Sequence, residues 1–119
     1  MSTAAFVEGP KGVLAAWETK GQVLFGRIDP TTSKVTQTTS APGTGDNRKH
    51  PTLAVNSRGE CLLAWTEGTG WQRGGALAWQ VYDANGQPTA DRGWLQGGIP
   101  MWGLATAYAK PDGGFVIVH

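Results

Sequence analysis

HPTLAVNSRGECLLAWTEGTGWQRGGALAWQVYD, residues 50–83, decides how this chain folds. Short apolar runs alternate in it with clusters of Asn, Ser, Gly and Asp, which is the pattern of consecutive β-strands joined by turns. Leu53–Val55, Cys61–Trp65 and Ala76–Asp83 are the three strands, with turns at Asn56–Gly59 and in the Gly-rich stretch 68–74. Within the third strand, Leu77, Trp79 and Val81 fall on one face, since side chains alternate along a strand. No window of eleven or more residues carries apolar positions at helical spacing. The chain is all-β.

Outward from that stretch the pattern repeats. Phe6–Gly12 stands against Leu53–Gly59, and Val13–Trp17 against Cys61–Trp65, with Trp17 and Trp65 in register. Gln22–Asp29 matches Ala76–Asp83, pairing Phe25 with Trp79 and the turn residues Asp29 and Asp83. Lys34–Ser40, rich in Thr, reads as an outer strand with a wet face. A third copy starts near Ala105: Ala107–Gly113 matches Leu53–Gly59, Phe115–Val118 matches the Cys61 run, and His119 falls where Trp65 would be. Gly12, Gly59 and Gly113 close equivalent turns, where positive φ is cheap only for glycine. The spacing is roughly 48 to 54 residues, within the range of four-stranded propeller blades.

The expected architecture is therefore β-propeller-like, with consecutive four-stranded antiparallel blades in one domain, residues 1–119. Blade 1 spans about 3–40, blade 2 about 50–98, and a half blade about 104–119. A ten-stranded antiparallel barrel or sandwich is the alternative. Two and a half blades leave open edges and an uncovered face, so the expectation is a piece of a larger propeller or an assembly of several copies.

Composition removes several functional classes. Ten Lys and Arg against nine Asp and Glu leave no basic footprint for nucleic acid. No apolar run reaches the roughly 18 residues of a membrane span, and residues 1–12 lack the pattern of a signal peptide. The single Cys61 sits in an apolar run and reads as a small buried hydrophobe, not a reactive thiol. Zinc-site spacings, Walker A and GxSxG are all missing. Asp83-Ala-Asn-Gly86 and Asp112-Gly-Gly114 serve as hairpin turns that need no metal. Asp46, Glu67 and Asp91 are the acids at the loop-rich end, and nothing in the sequence brings two of them into one catalytic pocket. Neither a cofactor nor a catalytic set is expected.

Binding is a different matter. In an antiparallel meander alternate connections lie at the same end, which places Thr66–Gly75, Ala41–Lys49 and Pro88–Gly103 together. The second repeat is six residues longer between its Trp and Asp, and the extra residues fall within Gly68–Gly74, the stretch that carries Trp71 and Arg73. Sheets do not need such an insertion, and long loops on rigid scaffolds carry binding sites. Arg48 and Trp102 occupy equivalent positions before the first strand of adjacent units, with His50 and Trp94 nearby. Arg48, His50, Trp71, Arg73, Trp94 and Trp102 are the candidate ligand-binding residues. Tryptophan with arginine on Gly-rich loops stacks on and hydrogen-bonds a sugar or small anion. The competing structural reading has Trp94 and Trp102 filling the gap between units and Arg48 pairing with Asp46.

His50-Pro-Thr-Leu-Ala-Val-Asn-Ser-Arg-Gly59, the run ending Trp65-Thr-Glu67, and Val81-Tyr-Asp-Ala-Asn-Gly86 together resemble blades of the sialidase/BNR-repeat-like bacterial β-propellers. The resemblance covers nearly the whole chain and implies an extracytoplasmic setting, periplasmic or secreted. The family's Asp-box, Ser-x-Asp-x-Gly-x-Thr-Trp, is absent: Asn56-Ser-Arg-Gly59 lacks its Asp, and Trp65 lies six residues past the Gly instead of three. A sialidase also needs an arginine triad and a Tyr–Glu pair, so hydrolase activity is not carried over. What remains is a noncatalytic scaffold or binding module. The alternatives are a lectin-like glycan binder using the same face and a fragment of a sialidase-like glycoside hydrolase completed by other blades.

Overall fold

The computed structural model describes residues 3–119 and contains ten β-strands. They are β1 (Ala4–Gly9), β2 (Gly12–Thr19), β3 (Gln22–Ile28), β4 (Val35–Ser40), β5 (Arg48–Val55), β6 (Cys61–Glu67), β7 (Gly75–Tyr82), β8 (Pro88–Ile99), β9 (Thr106–Ala109) and β10 (Phe115–Val118). Strands pair in chain order and antiparallel throughout, giving a four-stranded sheet β1–β4, a second four-stranded sheet β5–β8, and a two-stranded sheet β9–β10. Of the alternative barrel or sandwich, the barrel is not formed: the strands make three separate sheets. Among the described residues no helix is long and apolar enough to cross a membrane.

Alternation explains the layering. In β6, Cys61, Leu63 and Trp65 join Ala16, Val23 and Phe25 of the first sheet in one buried cluster, where Phe25 and Tyr82 stack at a centroid distance of 4.8 Å. Leu62 and Ala64 point the other way and pack, with Leu77, Trp79 and Val81, on Ala107, Phe115 and Ile117 of the third sheet. The middle sheet is therefore covered on both faces, which is why β6 is apolar at five consecutive positions, Cys61–Trp65, and not alternating. Matched residues point the same way along the series. Phe25 and its counterpart Trp79 both face the following sheet, and Leu53 and Ala107 both face the preceding one.

The turns hold each sheet to its neighbour. Asn56 accepts hydrogen bonds from the Arg58 and Glu60 amides (both 3.0 Å) and donates to Gly113 O (2.9 Å), linking the β5–β6 turn to the β9–β10 turn. The matched Gly12, Gly59 and Gly113 all have positive φ (106°, 82° and 93°). Asp29 and Asp83 each accept two amide hydrogen bonds within their turns. Two backbone amides hold the Asp29 carboxyl below its usual range.

One segment differs from the sequence reading. Residues 88–99 form the longest strand, and the connection to the next sheet is confined to 100–105. Its Pro and Gly content is tolerated because β8 is an edge strand that pairs on one side only, with register shifts at both ends of its ladder to β7.

Candidate functional site

Three connections meet at one end of the sheets. Residues 41–47, joining the first sheet to the second, are tied to the β2–β3 turn by Arg48 N–H donating to Gly21 O (2.9 Å). They are tied to the β6–β7 loop by Gly68 N–H donating to Asn47 O (3.1 Å) and Asn47 Nδ2 donating to Thr69 O (2.9 Å). The loop's tip closes as a small hairpin through reciprocal Gly70–Arg73 backbone bonds (3.2 and 3.1 Å), leaving Trp71 and Gln72 at its apex. Trp71 then meets Trp102 of the third connection edge-to-face, at 4.9 Å and 86°.

That contact forms one side of an open groove of about 460 Å³, whose lining includes Lys49, His50, Trp71, Arg73, Trp102 and Leu104. Trp71 and Trp102 are 81% and 64% exposed, unusual for indoles that touch each other. The backbone here is strained: Asn47, His50, Gln72 and Trp102 all have positive φ, between 50° and 65°. Asparagine and histidine enter that region more readily than most residues; a tryptophan in it costs on the order of 1–3 kcal/mol and persists only where surroundings impose it. His50 sits in a β5 bulge, where its amide donates to Glu18 Oε2 (2.8 Å) and its ring meets Thr3 Oγ1 (3.4 Å).

Of the six candidates, His50, Trp71, Arg73 and Trp102 converge on this groove. Arg48 and Trp94 lie in a neighbouring wedge of about 380 Å³, between the connector at Pro42–Gly45 and the outer strands of the second sheet. A further hollow, lined by Asp46, Arg73, Trp94 and Gln96 among others, shares Trp94 with the wedge and Arg73 with the groove.

Arg48 is only 2% exposed. Its Nε donates to Glu67 Oε1 (3.0 Å), its terminal nitrogens donate to Ala41 O (2.8 Å) and Pro42 O (2.6 Å), and its guanidinium lies 5.4 Å from the Trp65 ring. The predicted partner Asp46 is replaced by Glu67, because the β5–β6 register sets Arg48 directly opposite Glu67. Asp46 instead accepts the Asn47 amide (2.7 Å). Glu67 also accepts from Trp65 Nε1 (2.9 Å, on Oε1) and Trp94 Nε1 (3.1 Å, on Oε2), so one carboxylate fixes an arginine and two indoles. Gly45 is required here: a Cβ at that position would fall on the Glu67 carboxylate.

The sequence reading missed Lys49 and Leu104 in the groove and Gln80 and Arg92 in the wedge. Lys49 was legible as the neighbour of Arg48. The others depend on register and on β8 being a strand. Asp91 lines a separate hollow with Leu62 and Phe115, away from Glu67. Among the described residues no group of His, Cys, Asp or Glu is placed to hold a metal ion. Cys61 is buried, and desolvation pushes its thiol up to about 12. Comparison with known protein families, curated proteins and solved structures finds no match.

Proposed function

We propose that this chain is a noncatalytic β-propeller-like binding module that contacts a partner segment through the Trp71–Trp102 groove. The observation that carries the reading is the exposed edge-to-face pair Trp71–Trp102, held by left-handed backbone at Gln72 and Trp102. Paired aromatics exposed at the rim of a concave site are typical anchors for a partner's apolar side chain. Lys49, His50 and Arg73 surround them with no carboxylate in the lining, so the complementary partner is a peptide segment with an apolar side chain flanked by Asp or Glu. Arg48 acts as the brace that fixes the connector beneath the site. The propeller-like reading is supported by sheets that stack in chain order with matched residues facing the same way. It carries a second proposal, that the two uncovered end faces of the series meet in copies of the chain.

Selection of displayed random peptides on the immobilised chain tests the groove. The expected result is an acidic-apolar consensus that Trp71→Ala and Arg73→Glu each lose. A basic consensus, or one that both variants retain, overturns the assignment. Retention on a glycan array that disappears with Trp71→Ala would give the same groove to the lectin-like reading instead.

A further inference from the structure

From the wedge beside Glu67 we infer a second, separate binding site, one that takes a neutral sugar ring stacked on Trp94. Its floor is the face of β7 carrying Ala78 and Gln80, one wall is the connector Pro42–Gly45, and the other is β8 at Arg92–Trp94. Trp94 is 55% exposed, yet its orientation is fixed by the Nε1 hydrogen bond to Glu67 Oε2. An indole pinned at its polar edge and more than half exposed is a pre-ordered stacking platform, so a ligand need not immobilise it.

The polar groups beside that platform are mostly acceptors. A carboxylate has about four acceptor positions; Arg48 and Trp65 occupy two on Glu67 Oε1 and Trp94 one on Oε2, leaving one. Gln80, only 1% exposed at the floor of the wedge, donates to Val81 O and Thr89 O (both 2.8 Å), so its carbonyl oxygen is the one group it has left to offer there. Arg92, across the ladder from Gln80 on the exposed edge strand, adds a donor. Acceptors facing an aromatic plane, with one cationic donor, suit a ring with hydroxyls at its rim and C–H groups on its face. The cation at Arg92 disfavours an ammonium ligand, and Glu67 disfavours an anion. A volume of about 380 Å³ lies within the range of small-ligand sites and holds a ring of this size.

The wedge is also not a requirement of the repeat. At the matched positions of the first sheet, Thr19 stands where Glu67 is and Ser40 where Trp94 is, and that sheet forms without them. Strand pairing within a sheet therefore does not by itself require the Glu67–Trp94 pair.

Saturation-transfer NMR with methyl glycosides of glucose, galactose, mannose and fucose, run on the intact chain, tests this. At least one glycoside is expected to show transfer. Trp94→Ala should weaken it by about tenfold, Trp94→Phe by less, and Trp71→Ala should leave it unchanged. A Trp94→Ala chain that has lost its fold is recognised by its proton spectrum, and Trp94→Phe, which keeps a ring on β8, then decides: unchanged binding sinks the proposal. Transfer from none of the four glycosides also overturns it, as does loss with Trp71→Ala but not with the Trp94 variants. Failure here leaves the peptide reading of the groove standing, since the two rest on different indoles.

Discussion

Glu67 is where burial and register act together at the scale of single residues. Its pair with Arg48 is largely desolvated, and removing one partner of such a pair costs more than the pair itself contributes, because the other charge is left without its counterion. Arg48→Met is expected to lower stability by about 3 kcal/mol in urea titration. Glu67→Gln keeps an acceptor for the indole N–H groups and should cost less. Equal, small losses for both would mean that the ion pair does not organise the connector. Cys61 makes a second case. Its thiol is raised from 9.0 to about 12, with desolvation the first cause, and the Tyr82 hydroxyl is likewise raised by burial from 10.0 to about 12. Above pH 9 the unfolded chain releases these protons while the folded chain retains them, so unfolding becomes progressively easier as pH rises. The urea midpoint should fall steadily between pH 9 and 12 and stay flat with respect to these groups below 9. Cys61→Val, the residue found at the matched position 13, should make that fall shallower. In the folded chain at neutral pH, Cys61 should resist alkylation until denaturant is added.

Among the elements, the β6–β7 loop separates scaffold from site. Its base is packed: Thr69 is buried and hydrogen-bonded to Thr66 Oγ1 (3.2 Å), and a Cβ on Gly75 would fall on Glu67 O. Gly75→Ala is therefore expected to destabilise by at least about 2 kcal/mol, whereas Trp71→Ala at the exposed tip should change stability by less than about 0.5 kcal/mol. Comparable losses for the two in thermal melts would mean that Trp71 belongs to the core. This division was readable in part from the sequence. The six-residue insertion marked the loop, and the parity of the meander set which connections share an end, so four of the six candidates reach one groove. The Arg48–Glu67 pair was not readable, because it depends on a bulge at Lys49–Thr52 that fixes which residues of β5 and β6 face each other. Nor was most of β8, where Pro, Gly and Asp obscure a strand that needs only one pairing partner.

For the whole molecule, what matters is the pair of faces the series leaves uncovered. On the first sheet Phe6, Trp17 and Leu24 share the face turned away from the second sheet, and Phe6 is 67% exposed. On the third sheet Tyr108, Val116 and Val118 share the face turned away from the second. Leu53, at the position matching Phe6, packs on the first sheet, while Trp79 and Val81 cover the second sheet's other face by packing on the third. The two open faces are thus the two halves of an interface the molecule already forms twice. They are unlike each other, so a contact between copies joins the first sheet of one to the third sheet of another, a heterologous arrangement and not a symmetric one. Sedimentation velocity should show association rising with concentration, and Phe6→Lys or Tyr108→Lys alone should abolish it. Mixing the two variants distinguishes the geometry: each retains the face the other has lost, so together they should form a capped pair that neither forms alone. If the mixture stays monomeric while the unmutated chain associates, the contact is symmetric or lies elsewhere, and the stacking of like sheets does not extend beyond one chain.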